Sequence, residues 1–247
     1  MLTNTKTYQT IKTGWQFILD AIFPTFCLAC DQEGRGWCCD KCWLNISFNR
    51  SLFCPACDQQ QILGKFCDNC KKDQSLTGLW TAQNYSQPTI RALIHGLKYK
   101  GITEIAPRLA DLLTITLKIF SLPPAWHPTP RQQWILCPVP LTGRRERERG
   151  FNQAELLTQL VVEQNNLLGK NLLIRTKFKK PQVDLPTSER HQNVENAFTI
   201  SKDASIKDQT IILVDDVYTS GSTMEACAKV LKLSGAREIW GLVVAKG

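Results

Sequence analysis

No stretch of this 247-residue chain stays apolar long enough to cross a membrane. The N-terminal apolar cluster, Trp15 to Phe23, is broken by Asp20 and has no small-residue cleavage site, which argues against an export leader. Acidic residues are in short supply: 22 Asp and Glu stand against 30 Lys and Arg, a formal net charge of +8. That imbalance favours anionic partners, whether phosphorylated metabolites, nucleic acid or anionic lipid, without choosing among them. With 43% hydrophobic residues the chain has enough apolar content for a real core, which argues against disorder. These absences predict a cytoplasmic protein. In that setting the eleven cysteines point to metal rather than disulfides.

Eight of those cysteines are ordered as four Cys-x2-Cys pairs: Cys27 and Cys30, Cys39 and Cys42, Cys54 and Cys57, Cys67 and Cys70. Each pair can present two thiolates to one ion, and tetrahedral zinc takes four, so the spacing predicts two closed structural zinc sites. Sequential pairing places Cys27, Cys30, Cys39 and Cys42 on one ion and Cys54, Cys57, Cys67 and Cys70 on the other. An interleaved arrangement, pairs one and three against two and four, satisfies the same spacing. Cys38 adjoins Cys39, but only Cys39 keeps the x2 interval. A module this small has too little core to fold without metal. Its aromatics Trp37, Trp43 and Phe66 are either that small core or, beside basic runs, stacking surfaces for a single strand.

The stretch that organises the rest is Thr210 to Thr223. Ile211 to Val214 is an unbroken, β-branched apolar run that reads as a strand buried on both faces. Asp215 and Asp216 are expected to end it where the chain meets solvent. Thr219, Ser220, Gly221, Ser222 and Thr223 form a small-residue loop, and a helix from Met224 to Leu233 closes at Ser234 and Gly235. Unpaired N–H groups at a helix N-terminus suit a phosphate, and carboxylates beside it accept hydrogen bonds from sugar hydroxyls. The pairing suits a ribose 5-phosphate. The plainer alternative is a Ser/Thr-rich helix cap after a core strand.

Elsewhere, residues 1–23 contain an amphipathic helix ending before Pro24, and residues 24–76 make the cysteine module. Residues 77–247 form the main domain. Leu79 to Tyr85 reads as a strand, Pro88 to Lys98 and Glu104 to Phe120 as helices, and Trp134 to Val139 as a second buried strand. Pro123 to Pro130 is a loop with His127 at the surface. Lys98 and Lys100 read as a solvated helix end, or as ligand-steering charges. Leu141 to Gly150 is a charged loop in which Arg144, Arg145, Arg147 and Arg149 alternate with Glu146 and Glu148. A helix follows over Phe151 to Leu168, then short and final strands at Leu172 to Ile174 and Glu238 to Ala245. The order predicts an α/β fold: a mostly parallel sheet with helices on both faces.

Residues 211–223 resemble the phosphoribosyl pyrophosphate (PRPP) signature of type I phosphoribosyltransferases. Further blocks extend the likeness: Lys98-Tyr99-Lys100-Gly101, Pro138-Val139-Pro140, Arg149-Gly150-Phe151-Asn152-Gln153, and Glu189 to Val194 with Ala197-Phe198. Together with the cysteine pairs they resemble the ComF family, which joins a double zinc ribbon to a type I phosphoribosyltransferase-like domain. The resemblance implies that Asp215 and Asp216 hold the ribose near the reacting carbon and that Thr219 to Thr223 hold the 5-phosphate. Residues 141–149, with Arg144, would form a pyrophosphate loop, and Lys177 to Arg190 a mobile lid. Mg2+ would accompany PRPP. The family implies a role in natural transformation, handling imported single-stranded DNA in the cytoplasm beside other competence proteins. The alternative is an active PRPP-dependent transferase of nucleotide metabolism with an unknown acceptor. Such an enzyme would not be glutamine-dependent, because the chain lacks the N-terminal nucleophilic cysteine and glutaminase domain.

Overall fold

The computed structural model describes residues 24–34, 36–47, 53–120, 133–176, 197–201 and 205–247. The helix expected over residues 1–23, the proline-rich loop with His127, and the lid expected over 177–190 lie outside them. Strands β1 (Thr25–Phe26) and β2 (Glu33–Gly34) pair antiparallel, and the short helix α1 (Asp40–Leu44) follows. The main domain opens with β3 (Gly78–Asn84), α2 (Pro88–Tyr99), α3 (Ala106–Phe120) and β4 (Ile135–Pro138). Next come α4 (Gly143–Arg149), α5 (Gln153–Asn165), β5 (Leu168–Gly169), β6 (Leu173–Arg175) and β7 (Phe198–Ile200). The chain finishes with β8 (Thr210–Tyr218), α6 (Ser222–Leu233) and β9 (Glu238–Lys246).

Five strands form one sheet in the order β3-β9-β8-β4-β5, and every neighbouring pair is parallel. The chain is therefore the α/β protein expected. β8 lies at the centre because its apolar run can be buried on both faces. Ile212 and Val214 face one core with α2, α3 and α5, around the buried Trp80, Trp134 and Trp240. The ring centroids of Trp80 and Trp240 lie 4.8 Å apart. Ile211 and Leu213 face the other core, filled by α6, by β6 and β7, and by the second cysteine cluster with Phe66 and Leu76.

Three expectations need correction. The charged segment after β4 is a helix, α4, not a loop. Thr142 caps it by accepting from the Arg145 N–H at 3.2 Å, Arg144 pairs with Glu148 one turn on, and Gly150 ends it at φ 82°. Alternating charge hides a helix whose stability comes from caps and i,i+4 pairs rather than from an apolar stripe. The helix expected to reach Leu168 stops at Asn165, because Asn166 turns left-handed (φ 50°) and Leu168 enters the sheet as β5. The segment near Leu172 joins no parallel sheet: β6 pairs antiparallel with β7, a strand not anticipated.

The second ribbon is fastened to the main domain rather than tethered to it. Lys65 bridges Gly78 at the start of β3, and Trp80 Nε1 donates to the Leu63 carbonyl at 3.1 Å. The Glu225 carboxylate, in the first turn of α6, accepts from the backbone N–H groups of Ser75 and Leu76. A Cβ at Gly78 would collide with the Gly64 carbonyl oxygen and with the Trp240 ring, so that approach admits only glycine.

Candidate functional site

The cysteine pairs come together in sequence order. Cys27, Cys30, Cys39 and Cys42 form one cluster and Cys54, Cys57, Cys67 and Cys70 the other, with sulfurs within 4.8 Å of one another. The interleaved alternative is excluded, and Cys38 takes no part. Sulfurs of Cys30 and Cys39, and of Cys57 and Cys67, are 3.7 Å apart. Zn–S bonds of about 2.3 Å at tetrahedral angles require about 3.8 Å, so the donor sets fit zinc. Burial raises the Cys27 and Cys54 thiols, but backbone N–H donors outweigh it and bring each down to about 6. The donors are those of Cys39, Ala29 and Cys30 around Cys27, and those of Cys67, Ala56 and Cys57 around Cys54. An N–H directed at sulfur favours the thiolate a metal needs.

The second site is the C-terminal end of β8. The strand does not stop before the carboxylates, as expected, but carries both within it. Asp216 is 2% exposed, and its Oδ1 accepts from Lys98 Nζ at 2.8 Å. Its Oδ2 is buried without a partner among the described residues. Asp215 is half-buried and accepts the Asp216 N–H at 2.8 Å. Burial, then the adjacent Asp216 charge, pushes Asp215 well above the ordinary carboxylate range, against the pull of that N–H and of Lys98.

Beyond Tyr218 the chain turns through Thr219 and Ser220, both exposed, to Gly221 at φ 76°, which caps α6. A Cβ on Gly221 would strike the Tyr218 ring, so only glycine lets the backbone fold back there. The Ser220 and Ser222 hydroxyls are 3.0 Å apart over the helix entrance, with Thr223 half-buried behind them. Gly221, Ser222 and their neighbours wall a cavity of about 520 Å³ whose far side is the second ribbon, at Pro55, Phe66, Gln74 and Ser75.

Comparison with known proteins finds two matching family models along the chain. Residues 93–246 match the model of the phosphoribosyl transferase domain, and residues 18–73 that of the double zinc ribbon domain. Competence protein F of Haemophilus influenzae (strain ATCC 51907 / DSM 11121 / KW20 / Rd) is 29% identical over 83% of this chain and 95% of its own. DNA utilization protein YhgH of Salmonella typhi is 31% identical over 71% of this chain and 76% of its own. The chain belongs to the ComF family. Among solved structures, a purine phosphoribosyltransferase from Pyrococcus horikoshii Ot3 covers 56% of this chain and 70% of its own. That overlay, at 17% identity and a TM-score of 0.34, is too loose to carry an argument.

In this ComF-family chain the structure also places residues to which sequence reasoning gave no settled role. Lys98, read as a solvated helix end or a ligand-steering charge, is not a solvated end, since it closes an ion pair with the most buried carboxylate of the site. Its motif position gave a signal, but its partner lay far away in sequence. Arg175, at the end of β6, sits over the Phe198 ring at 5.0 Å, with its Nε buried and unpartnered among the described residues. Burial lowers its pKa, and Cys227 and Asp215 among its neighbours counter this. Arg144 is exposed and bonded to Glu148 at 2.7 Å, and Arg190 lies outside the described residues. The ribbon aromatics are core: Phe66 is 6% exposed, while Trp37 and Trp43 pack partly buried against the main domain.

The ribbon geometry predicts about two zinc ions per purified chain by elemental analysis. Cys67→Ala should lower that to about one, and Cys137→Ala or Cys227→Ala should leave it unchanged, because both lie buried in the main core. Retention of full zinc by Cys67→Ala would contradict the second cluster. The raised Asp215 predicts a pH effect of definite sign. Between its unfolded value, about 3.9, and its higher folded value, the native state holds the extra proton. Stability from this group is therefore greatest below that window and is lost as pH rises through it. Melting temperatures of wild type and Asp215→Asn across pH should diverge in that direction, and parallel curves would remove the assignment.

Proposed function

We propose that this ComF-family chain binds PRPP at the end of β8 and handles imported single-stranded DNA in the cytoplasm, beside other proteins of the competence machinery. One observation carries the first half. A single continuous segment leads from two clustered carboxylates, through a glycine-turned hydroxyl loop, into the N-terminus of a 12-residue helix. The backbone N–H groups and hydroxyls of Thr219 to Thr223 would take the 5-phosphate. Ribose hydroxyls would donate to Asp215 and Asp216, and the unpartnered Asp216 Oδ2 is an acceptor in want of a donor. Lys98 and Arg175 would balance the charge, and Arg144 and Arg190 would meet the pyrophosphate. Mg2+ would enter with the pyrophosphate and neutralise its charge, with the two carboxylates as its protein oxygens.

The DNA half rests on a surface beside that site. Arg91, His95 and Tyr99 are exposed and recur every fourth residue along α2, so they line one face of it. Tyr99 is 66% exposed, the His95 ring is 4.4 Å from it, and the Arg149 guanidinium lies 5.6 Å over its ring. An open aromatic ring set among cations is what an unstacked base and its phosphate require.

Titrations of PRPP with Mg2+ and of a fluorescent oligo(dT) against the same zinc-loaded protein test both halves. Both should bind. Tyr99→Ala should weaken the oligonucleotide by roughly tenfold and leave PRPP unchanged. Binding of the oligonucleotide should also fall steeply with salt. No affinity for oligo(dT), or full affinity in Tyr99→Ala, would contradict the DNA surface, and no affinity for PRPP would contradict the pocket.

A further inference from the structure

We infer that Tyr218 and Glu225 are positioning residues that tie the phosphate loop to the second cysteine cluster, so that metal in that cluster and a ribose phosphate in the loop strengthen each other's binding. The inference rests on the PRPP reading of the loop and adds its control by metal occupancy.

The loop is anchored to the ribbon at both ends. Behind it, Glu225 donates its N–H to the Gly221 carbonyl at 2.8 Å, which closes the first turn of α6. The side chain of the same residue leaves that turn for the ribbon, where its two oxygens accept from the Ser75 and Leu76 N–H groups. Those groups stand a short way from the cluster. The Lys71 N–H donates to the Cys67 carbonyl at 2.9 Å, and a single 3-10 turn, Lys71–Asp73, leads from Cys70 to Gln74. Ahead of the loop, Tyr218 is 8% exposed and packs in one core with Cys54, Phe66 and Cys67. Its ring stands where a Gly221 Cβ would be, so the ring shapes the turn of the backbone. Between the anchors Thr219, Ser220 and Ser222 are exposed, and the two serine hydroxyls bond each other. A third link, from Lys246 to Asp58 beside Cys57, uses a mostly exposed carboxylate and contributes little.

Charge gives the coupling its sign. Within residues 53–76 the ribbon's regular structure is one antiparallel bridge, Phe53 to Gln60, and two 3-10 turns. A segment with so little structure of its own takes its shape from the metal. Without that shape the Ser75 and Leu76 N–H groups lose their places. Glu225 is then a free anion one turn inside a helix entrance suited to phosphate, and it opposes the incoming charge. With the ribbon formed, two N–H groups occupy the carboxylate and the entrance is left to the ligand. Linkage requires the converse: the factor by which metal raises PRPP affinity is the factor by which PRPP raises metal affinity.

A thermodynamic cycle on the full chain tests the inference. Cys39→Ala leaves zinc in the second cluster, and Cys67→Ala leaves it in the first. Zinc affinity is measured by equilibrium competition with a chromogenic chelator, with and without PRPP and Mg2+, and PRPP affinity by calorimetry. Cys39→Ala should hold its zinc roughly tenfold more tightly when PRPP is present, and Cys67→Ala should show no change. PRPP should bind Cys67→Ala roughly tenfold more weakly than Cys39→Ala. Should Cys67→Ala disturb the core it shares with Tyr218, Glu225→Ala decides the matter with all eight cysteines in place. It should bind two zinc ions whose affinity no longer responds to PRPP, and Glu225→Gln, which keeps one acceptor oxygen, should restore part of the response. A merely structural glutamate would lower stability and leave that response intact. Zinc affinity in Cys39→Ala that ignores PRPP, or a full response in Glu225→Ala, would overturn the coupling while PRPP binding stands. No PRPP binding by the wild type would overturn the reading of the loop and the coupling with it.

Discussion

A carboxylate buried inside a parallel sheet must find a cation, and Asp216 finds Lys98. The rest of the site depends on that pair. Losing one partner of a buried pair costs on the order of 3 kcal/mol, a large share of the stability of an ordinary domain. The pair therefore fixes the last turn of α2 against the end of β8. With that turn come exposed Tyr99 on one side and, through Gly101, the start of α3 on the other. The carboxylate keeps one oxygen for the lysine and leaves the second unspent at the mouth of the sheet. Asp215 beside it is pushed upward by burial and by the Asp216 charge, so it favours its protonated form until a cation or a hydrogen-bond donor reaches the site.

The ribbons belong to the same construction. The first packs on the helical core through Leu28, Trp37, Trp43 and Ile46, and the second fills the opposite core through Phe66 and Leu76. Metal held by the two cysteine clusters would thus fix parts of both cores as well as two loops. The Glu225 clamp on Ser75 and Leu76 grows from the first turn of the helix that opens at the phosphate loop. Ribbon and loop share a wall, so a ligand in one must be accommodated by the other.

Much of this was legible in the sequence where one local signal sufficed. The Cys-x2-Cys spacing named the eight candidate ligands, though not which pairs share a cluster, and the β-branched run of β8 and the apolar stripe of α3 announced a two-faced sheet. Legibility failed where partners are distant. Asp215 and Asp216 looked like the point where the strand meets solvent, because the cation that pairs with buried Asp216, Lys98, comes from another part of the chain. The Arg/Glu run looked like loop because caps and i,i+4 pairs, rather than an apolar period, make α4. β7 was missed because three residues pairing with β6 leave no periodic trace. The ribbon aromatics were ambiguous in sequence for the same reason: only the packed domain shows that their faces are covered.

The account turns on whether the two carboxylates at the end of β8 receive a ribose phosphate. Calorimetry of PRPP with Mg2+ against wild type, Asp215→Asn and Asp216→Asn, each checked for full zinc content, measures this directly. Each substitution should weaken binding by roughly ten- to a hundredfold, the worth of a charge-assisted hydrogen bond. Wild-type affinity in both variants would contradict the account.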